Sequence, residues 1–190
     1  MSYTHLQVHS GYSLLDSAVT IDKLTKKASD LQFEALALTD HEVLYGVIPF
    51  YKSCLKYNIK PIVGMTLNIL NINNELEYCI LLAKNNDGYK QLIKISTMIK
   101  KDQKSLSLKE IHLYTGNLIC ILPVQSSTLE NLFMNNSFEE VKKQIDHWIN
   151  CFHHYFPCRH PSFYHLYLIQ MELRLTIYSH LYRQLDILFG

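Results

Sequence analysis

This sequence predicts an α/β fold built on a mostly parallel sheet, and three observations carry that prediction. Through roughly the first 125 residues, short apolar runs of strand character alternate with segments of helical period. Histidines and aspartates fall where those runs end, which is where β/α units open their loops. The composition, 48% hydrophobic and 18% charged over 190 residues, is sufficient for one packed core and too apolar for general disorder.

The elements follow in order. Tyr3 to Val8 reads as a first strand, with a turn around Gly11. Ile21 to Leu31 reads as a helix whose inner face is Ile21, Leu24, Ala28 and Leu31, with Asp22 favourably placed in its first turn. Ala35 to Thr39 is a short apolar run ending in Asp40-His41, as expected of a strand buried on both faces. Leu44, Val47, Tyr51, Cys54 and Leu55 then recur at helical spacing up to Asn58, and Pro61-Ile62-Val63 resumes the sheet before Gly64. Tyr78 to Ala83 is a further strand. The turn Asn85-Asn86-Asp87-Gly88 leads into a helix striped by Leu92, Ile95 and Ile99. Leu118 to Leu122 gives a fifth strand, and a helix is predicted from Ser137, its cap, to about Trp148, with Glu139 and Glu140 in the first turn.

Beyond this the chain changes character. Residues 151–190 hold five of the ten histidines but only two acids, Glu172 and Asp186. The segment is therefore expected to be an irregular tail after a domain over 1–150, disordered or read out of frame. Its histidines, His153, His154 and His160 among them, lack the spacing of a zinc finger.

The charge balance of 18 basic against 17 acidic residues supplies no global field for gathering phosphates, so DNA would be bound weakly and locally, if at all. A lysine-rich stretch, Lys84, Lys90, Lys94, Lys100, Lys101, Lys104 and Lys109, reads as a solvated face. Five scattered cysteines, Cys54, Cys79, Cys120, Cys151 and Cys158, fit reduced, buried thiols. No apolar run approaches the ~20 residues of a membrane span, and the start carries no leader pattern, so a cytoplasmic protein without membrane contact is expected.

The side chains that could do chemistry cluster at strand ends. His9 closes the first strand, Asp16 lies in its loop, and Asp40-His41 closes the second. Imidazole and carboxylate from several strand ends suit zinc, manganese or iron and are how an open hydrolytic metal site is built.

The blocks His5 to Asp16, Ala35 to His41, Phe50-Tyr51-Lys52, Ile59 to Gly64, and Leu81 to Asn85 with Gly88-Tyr89 closely resemble a known family in order and spacing. That family is the PHP domain (polymerase and histidinol phosphatase) at the N-terminus of bacterial DNA polymerase III alpha subunits. The resemblance implies an incomplete, distorted (β/α)7 barrel, related in plan to the TIM barrel, which in metal-bearing members holds a trinuclear cluster and in some performs 3′–5′ exonucleolytic proofreading.

Carried over residue by residue, the resemblance assigns His9, Asp16, Asp40 and His41 to a vestigial metal site. Gln7 stands where the first histidine of a His-x-His pair is expected, Thr66 in place of an acid, and Cys79 in place of a histidine. A neutral amide or hydroxyl is a poor metal donor, so the resemblance implies a degenerate site, no catalytic residue and no cofactor, with zinc or manganese bound only if the reduced site still functions. It implies a fragment whose partners are the remainder of the alpha subunit, the sliding clamp and the proofreading exonuclease. The chain carries no polymerase palm carboxylates, so nucleotidyl transfer by it alone is not expected. A metal-dependent phosphoesterase or 3′–5′ exonuclease centred on His9, Asp16 and His41 is the alternative. A histidinol-phosphatase-like enzyme would need the donors replaced at Gln7, Thr66 and Cys79.

Overall fold

The computed structural model describes residues 4–102, 105–122, 131–132, 135 and 137–152. In chain order the elements are α1 (Ile21–Asp30), β1 (Ala35–Leu38), α2 (Val47–Lys56), β2 (Lys60–Leu70), β3 (Leu76–Ala83), α3 (Asn86–Asp102), β4 (Leu106–Ser107), α4 (Leu108–Ile111), a 3-10 turn at His112–Tyr114, β5 (Leu118–Ile121) and α5 (Phe138–Cys151). The strands form one sheet in the order β1-β2-β3-β5, with β4 also paired to β2. No helix among the described residues is long and apolar enough to cross a membrane.

The fold is α/β, but the sheet is mixed rather than mostly parallel. β1 and β4 run parallel to β2, whereas β3 is antiparallel to both β2 and β5. The cause is the connection after Leu70. Only residues 71–75 separate β2 from β3, and a parallel crossover needs about a dozen residues. Asn71 folds this link into a hairpin turn: its Oδ1 accepts from the backbone N of Asn73 at 2.8 Å and of Glu75 at 3.0 Å. Asn74 takes the left-handed conformation, φ 61°. β2 also runs on through Gly64, where the third run was expected to end. A Cβ there would sit 2.6 Å from the carbonyl oxygen of Leu81, so glycine is what lets the two strands close. Among the described residues a (β/α)7 arrangement is not seen.

The predicted first strand is not a regular one. Ala37 N donates to His5 O at 3.0 Å and Thr39 N to Val8 O at 2.8 Å. Three residue steps on one segment therefore face two on the other, and Val8 N turns to Thr39 Oγ1 at 3.0 Å instead of a carbonyl. That mismatch breaks the ladder.

On α1 the predicted inner face holds at Ile21, Leu24 and Ala28, whereas on α2 the buried face is rotated from the predicted stripe. On α1 Leu31 is exposed and Thr25 is buried, its hydroxyl bonded to Ile21 O at 3.0 Å and to Ser53 Oγ of α2 at 2.6 Å. On α2 the buried residues are Val47, Phe50, Ser53 and Cys54, while Tyr51 and Leu55 face outward. The core between α1, β1 and α2 is Ile21, Ala28, Leu36, Leu38, Phe50, Cys54 and Ile59. The stripe Leu92, Ile95 and Ile99 of α3 is buried as expected. Asn85 Oδ1 caps that helix by accepting from Gly88 N at 3.0 Å. Ser137 caps α5 differently from expectation: its side chain makes no cap bond, and its carbonyl accepts from Glu140 N and Val141 N. Apart from Cys151 and Phe152, the expected tail over 151–190 lies outside the described residues.

Candidate metal centre

The rim is built where β1 ends against β2. An isolated parallel bridge joins His41 to Thr66. Thr66 N donates to Asp40 O at 3.2 Å and Glu42 N to Thr66 O at 2.8 Å. Side chains alternate along a strand, so Thr66 and Asn68 share one face of β2, and both histidines meet that face. His9 Nε2 lies 3.2 Å from Thr66 Oγ1, and His41 Nε2 lies 3.3 Å from Asn68 Nδ2. Asp16 joins from the loop, with Oδ2 3.7 Å from His9 Nδ1. The structure thus brings His9, Asp16 and His41 to one rim.

Asp40 sits beside them with a different task. It is buried, and its two carboxylate oxygens accept from Ser10 N at 2.7 Å, Ser10 Oγ at 2.8 Å and Ser13 Oγ at 2.8 Å. Ser13 Oγ in turn accepts from His41 N at 3.0 Å, and Asp16 N donates to Ser13 O at 3.1 Å. Asp40 therefore folds the loop that carries Asp16 and directs its lone pairs into the protein, away from an ion at the rim.

The three substituted positions divide in the same way. Gln7 Nε2 donates to Tyr78 Oη at 2.9 Å, and Thr66 is fully buried against His9. Cys79 is not at the rim. Thr66 pairs with Ile80 and Leu67 with Cys79, so Cys79 projects from the opposite face of the sheet. There it lies beside Cys120, whose thiol burial pushes well above its ordinary value, with Cys79 adding to the effect. Burial likewise raises Cys151 and Cys54 to about 12. The four described cysteines are free and buried, as the sequence implies; Cys158 lies outside the described residues.

Sequence reasoning missed Ser10, Ser13 and Asn68. Asn68 was two residues beyond Thr66 on a strand expected to stop at Gly64, and a continued alternation would have exposed it. Within the lysine-rich stretch, Lys90 pairs with Asp87 at 2.9 Å, Lys100 with Glu42 at 3.6 Å, and Lys94 lies over the ring of Tyr114.

The donor set does not fit a metal cluster. Among the described residues no group of three or more His, Cys, Asp or Glu side chains is placed to hold a metal ion. The Nε2 of each imidazole faces a neutral hydroxyl or amide of β2, neither of which supplies a compensating charge, and the carboxylate beside them is Asp16, 3.7 Å from His9 Nδ1.

A model of the PHP domain family matches residues 5–156. DNA polymerase III subunit alpha of Bacillus subtilis is 43% identical over 143 residues, covering 74% of this chain and 13% of that protein. DNA polymerase III subunit alpha of Borreliella burgdorferi is 35% identical over 157 residues, covering 75% of this chain and 14% of that protein. An amidohydrolase structure from Chromobacterium violaceum aligns with a TM-score of 0.44 and 20% identity, over 53% of this chain and 34% of that one. The chain spans 13% and 14% of the length of these two curated relatives. On the family match over most of its length, this chain belongs to the PHP domain family.

Proposed function

We propose that this PHP domain serves DNA replication as an N-terminal part of a DNA polymerase III alpha subunit, acting as a structural platform and not as a hydrolase. The observation that carries the reading is the pairing of His9 with Thr66 and of His41 with Asn68, neutral partners where a cation cluster needs charged donors. In this reading the mixed sheet belongs to an incomplete, distorted (β/α)7 barrel over 1–150, followed by the atypical segment 151–190. The partners are the remainder of the alpha subunit, the sliding clamp and the proofreading exonuclease in the cytoplasm. DNA contact by this domain is weak.

A second reading, a metal-dependent phosphoesterase or 3′–5′ exonuclease with a reduced zinc or manganese site, is favoured by the approach of Asp16 to His9. Elemental analysis of the purified chain, combined with a 3′–5′ exonuclease assay in added manganese or zinc, separates the two. The platform reading expects substoichiometric metal and no activity above a His9→Ala control. Stoichiometric metal with activity abolished by His9→Ala overturns it in favour of the second.

A further inference from the structure

The solvent side of the α1–α2 layer carries lysines that the fold does not use. α1 turns Ile21, Thr25 and Ala28 inward, so the helical period sets Lys23 and Lys26 on its outer side. α2 turns Val47, Phe50, Ser53 and Cys54 inward, which sets Lys52 outward and Lys56 toward α1. The Thr25–Ser53 bond at 2.6 Å and the contact of Lys56 Nζ with Asp22 Oδ1 at 3.1 Å join the two helices, so their outer sides form one face.

The charges on this face are unmatched, which sets it apart from α3. There three of the four lysines are engaged, Lys90 with Asp87 at 2.9 Å, Lys100 with Glu42 at 3.6 Å and Lys94 over the Tyr114 ring. Lys23, Lys26 and Lys52 are exposed and, among the described residues, have no ion-pair or hydrogen-bond partner. α2 holds no acid, and Asp22, the acid at the seam between the helices, is already paired with Lys56. Asp30 closes the far end of α1. Once Asp22 has neutralised Lys56, three free ammonium groups remain on the face.

We propose that this face holds the phosphate backbone of a DNA duplex, weakly and without reading its bases. The proposal rests on the reading that the domain serves DNA replication. Charge complementarity carries it. Ammonium groups on neighbouring turns of two joined helices suit a ligand that presents charge at every step, and a duplex carries one negative charge per about 1.7 Å of its axis. Lysine is a flexible point charge, which binds phosphates well and distinguishes bases poorly unless it enters a groove. Neutralising about three phosphates gives an affinity that falls steeply with salt. An acidic peptide is the competing occupant, and it would have to place its carboxylates at the same few positions.

The test uses the full chain and a labelled duplex of about 20 base pairs, read by fluorescence anisotropy between roughly 20 and 150 mM salt. Binding at low salt is expected, equal for duplexes of different sequence, with a log–log salt slope of about −3. The triple variant Lys23→Gln, Lys26→Gln, Lys52→Gln is expected to bind about tenfold or more weakly and to lose most of that slope. Lys90→Gln, Lys94→Gln, Lys101→Gln on α3 removes the same charge and is expected to stay within about twofold. Matched circular dichroism confirms that both variants are folded. Equal losses in the two variants overturn the proposal, because they mean general attraction and not a site. Displacement of the label by polyglutamate as readily as by unlabelled duplex overturns it in favour of an acidic peptide. Absence of binding at the lowest salt also overturns it and leaves the platform reading intact, since the metal and exonuclease measurements test that reading separately.

Discussion

On one side of β2 and β3, Thr66, Asn68 and Tyr78 meet His9, His41 and Gln7 in turn; on the other, Glu77, Cys79 and Cys120 lie near Trp148 and Cys151 of α5. Apart from the buried Thr66, the first set keeps access to water along the rim. His9 retains partial exposure, and Asp16 is about half exposed. The second set is sealed. Glu77 is 1% exposed and accepts from Asn71 Nδ2 at 3.0 Å and from Trp148 Nε1 at 3.2 Å. A polar group that keeps access to water can lose its partner cheaply, whereas a sealed one cannot. The difference teaches that the polar pairs fixing the fold are on the sealed side, and that donors at the rim can be replaced without unfolding the domain.

The largest effect that would break this comparison is at Trp148. It is fully buried, stacks on Phe152 with ring centroids 6.2 Å apart, and supplies an N–H to Glu77. Trp148→Ala removes a large side chain from the core and strips a buried carboxylate of a donor, an expected loss of about 3–5 kcal/mol in denaturant unfolding. His9→Ala at the rim is the matched control, with an expected loss below about 1 kcal/mol. Equal losses at the two positions would erase the distinction between the faces.

Asp40 sharpens the comparison because it sits at the rim yet belongs to the sealed class. Three donors from Ser10 and Ser13 converge on its carboxylate. Asp40→Asn keeps the size but turns one acceptor into a donor facing a hydroxyl or an N–H. About 2 kcal/mol of stability is expected to be lost, in the range for bonds to charged groups. Asp16→Asn, half exposed, is expected to change stability by less than about 0.5 kcal/mol. Thermal unfolding of the two variants side by side shows whether Asp40 acts as a structural clamp. A small loss at Asp40 would return it to the ligand set.

The same division explains what could be read from the sequence. Leu92, Ile95 and Ile99 were legible because a long helix with a clean apolar period needs no partner to define its face. β1 and β5 were legible as short apolar runs. The β2–β3 hairpin was written in Asn71, Asn73 and Asn74, but a reading organised around β/α units passed over this turn signal. On α1 Thr25 was missed, and on α2 the inner face was misplaced, because Thr25 and Ser53 are polar residues that bury by bonding to each other, which periodicity of apolar residues cannot report. At the rim His9, Asp16 and His41 were visible as types at strand ends. The parity that takes Cys79 to the other face depends on register, and register is set by a partner strand far along the chain.

The smallest effect expected on the sealed side, and the one with opposite sign, is at Gln144 on α5. Its side chain is fully buried, and among the described residues neither Nε2 nor Oε1 has a hydrogen-bond partner. It shares a helix face with Val141, Ile145 and Trp148, so it belongs to the sealed side, yet it breaks the rule that sealed polar groups are paired. An amide taken out of water without a partner costs about 1–3 kcal/mol, and methionine fills a similar volume without that cost. Gln144→Met is therefore expected to raise stability by about 1 kcal/mol, read as a higher midpoint in urea with an unchanged m-value. A lowered midpoint would mean that Gln144 has a partner in solution, an ordered water or another group, and would bring the sealed face back to full pairing.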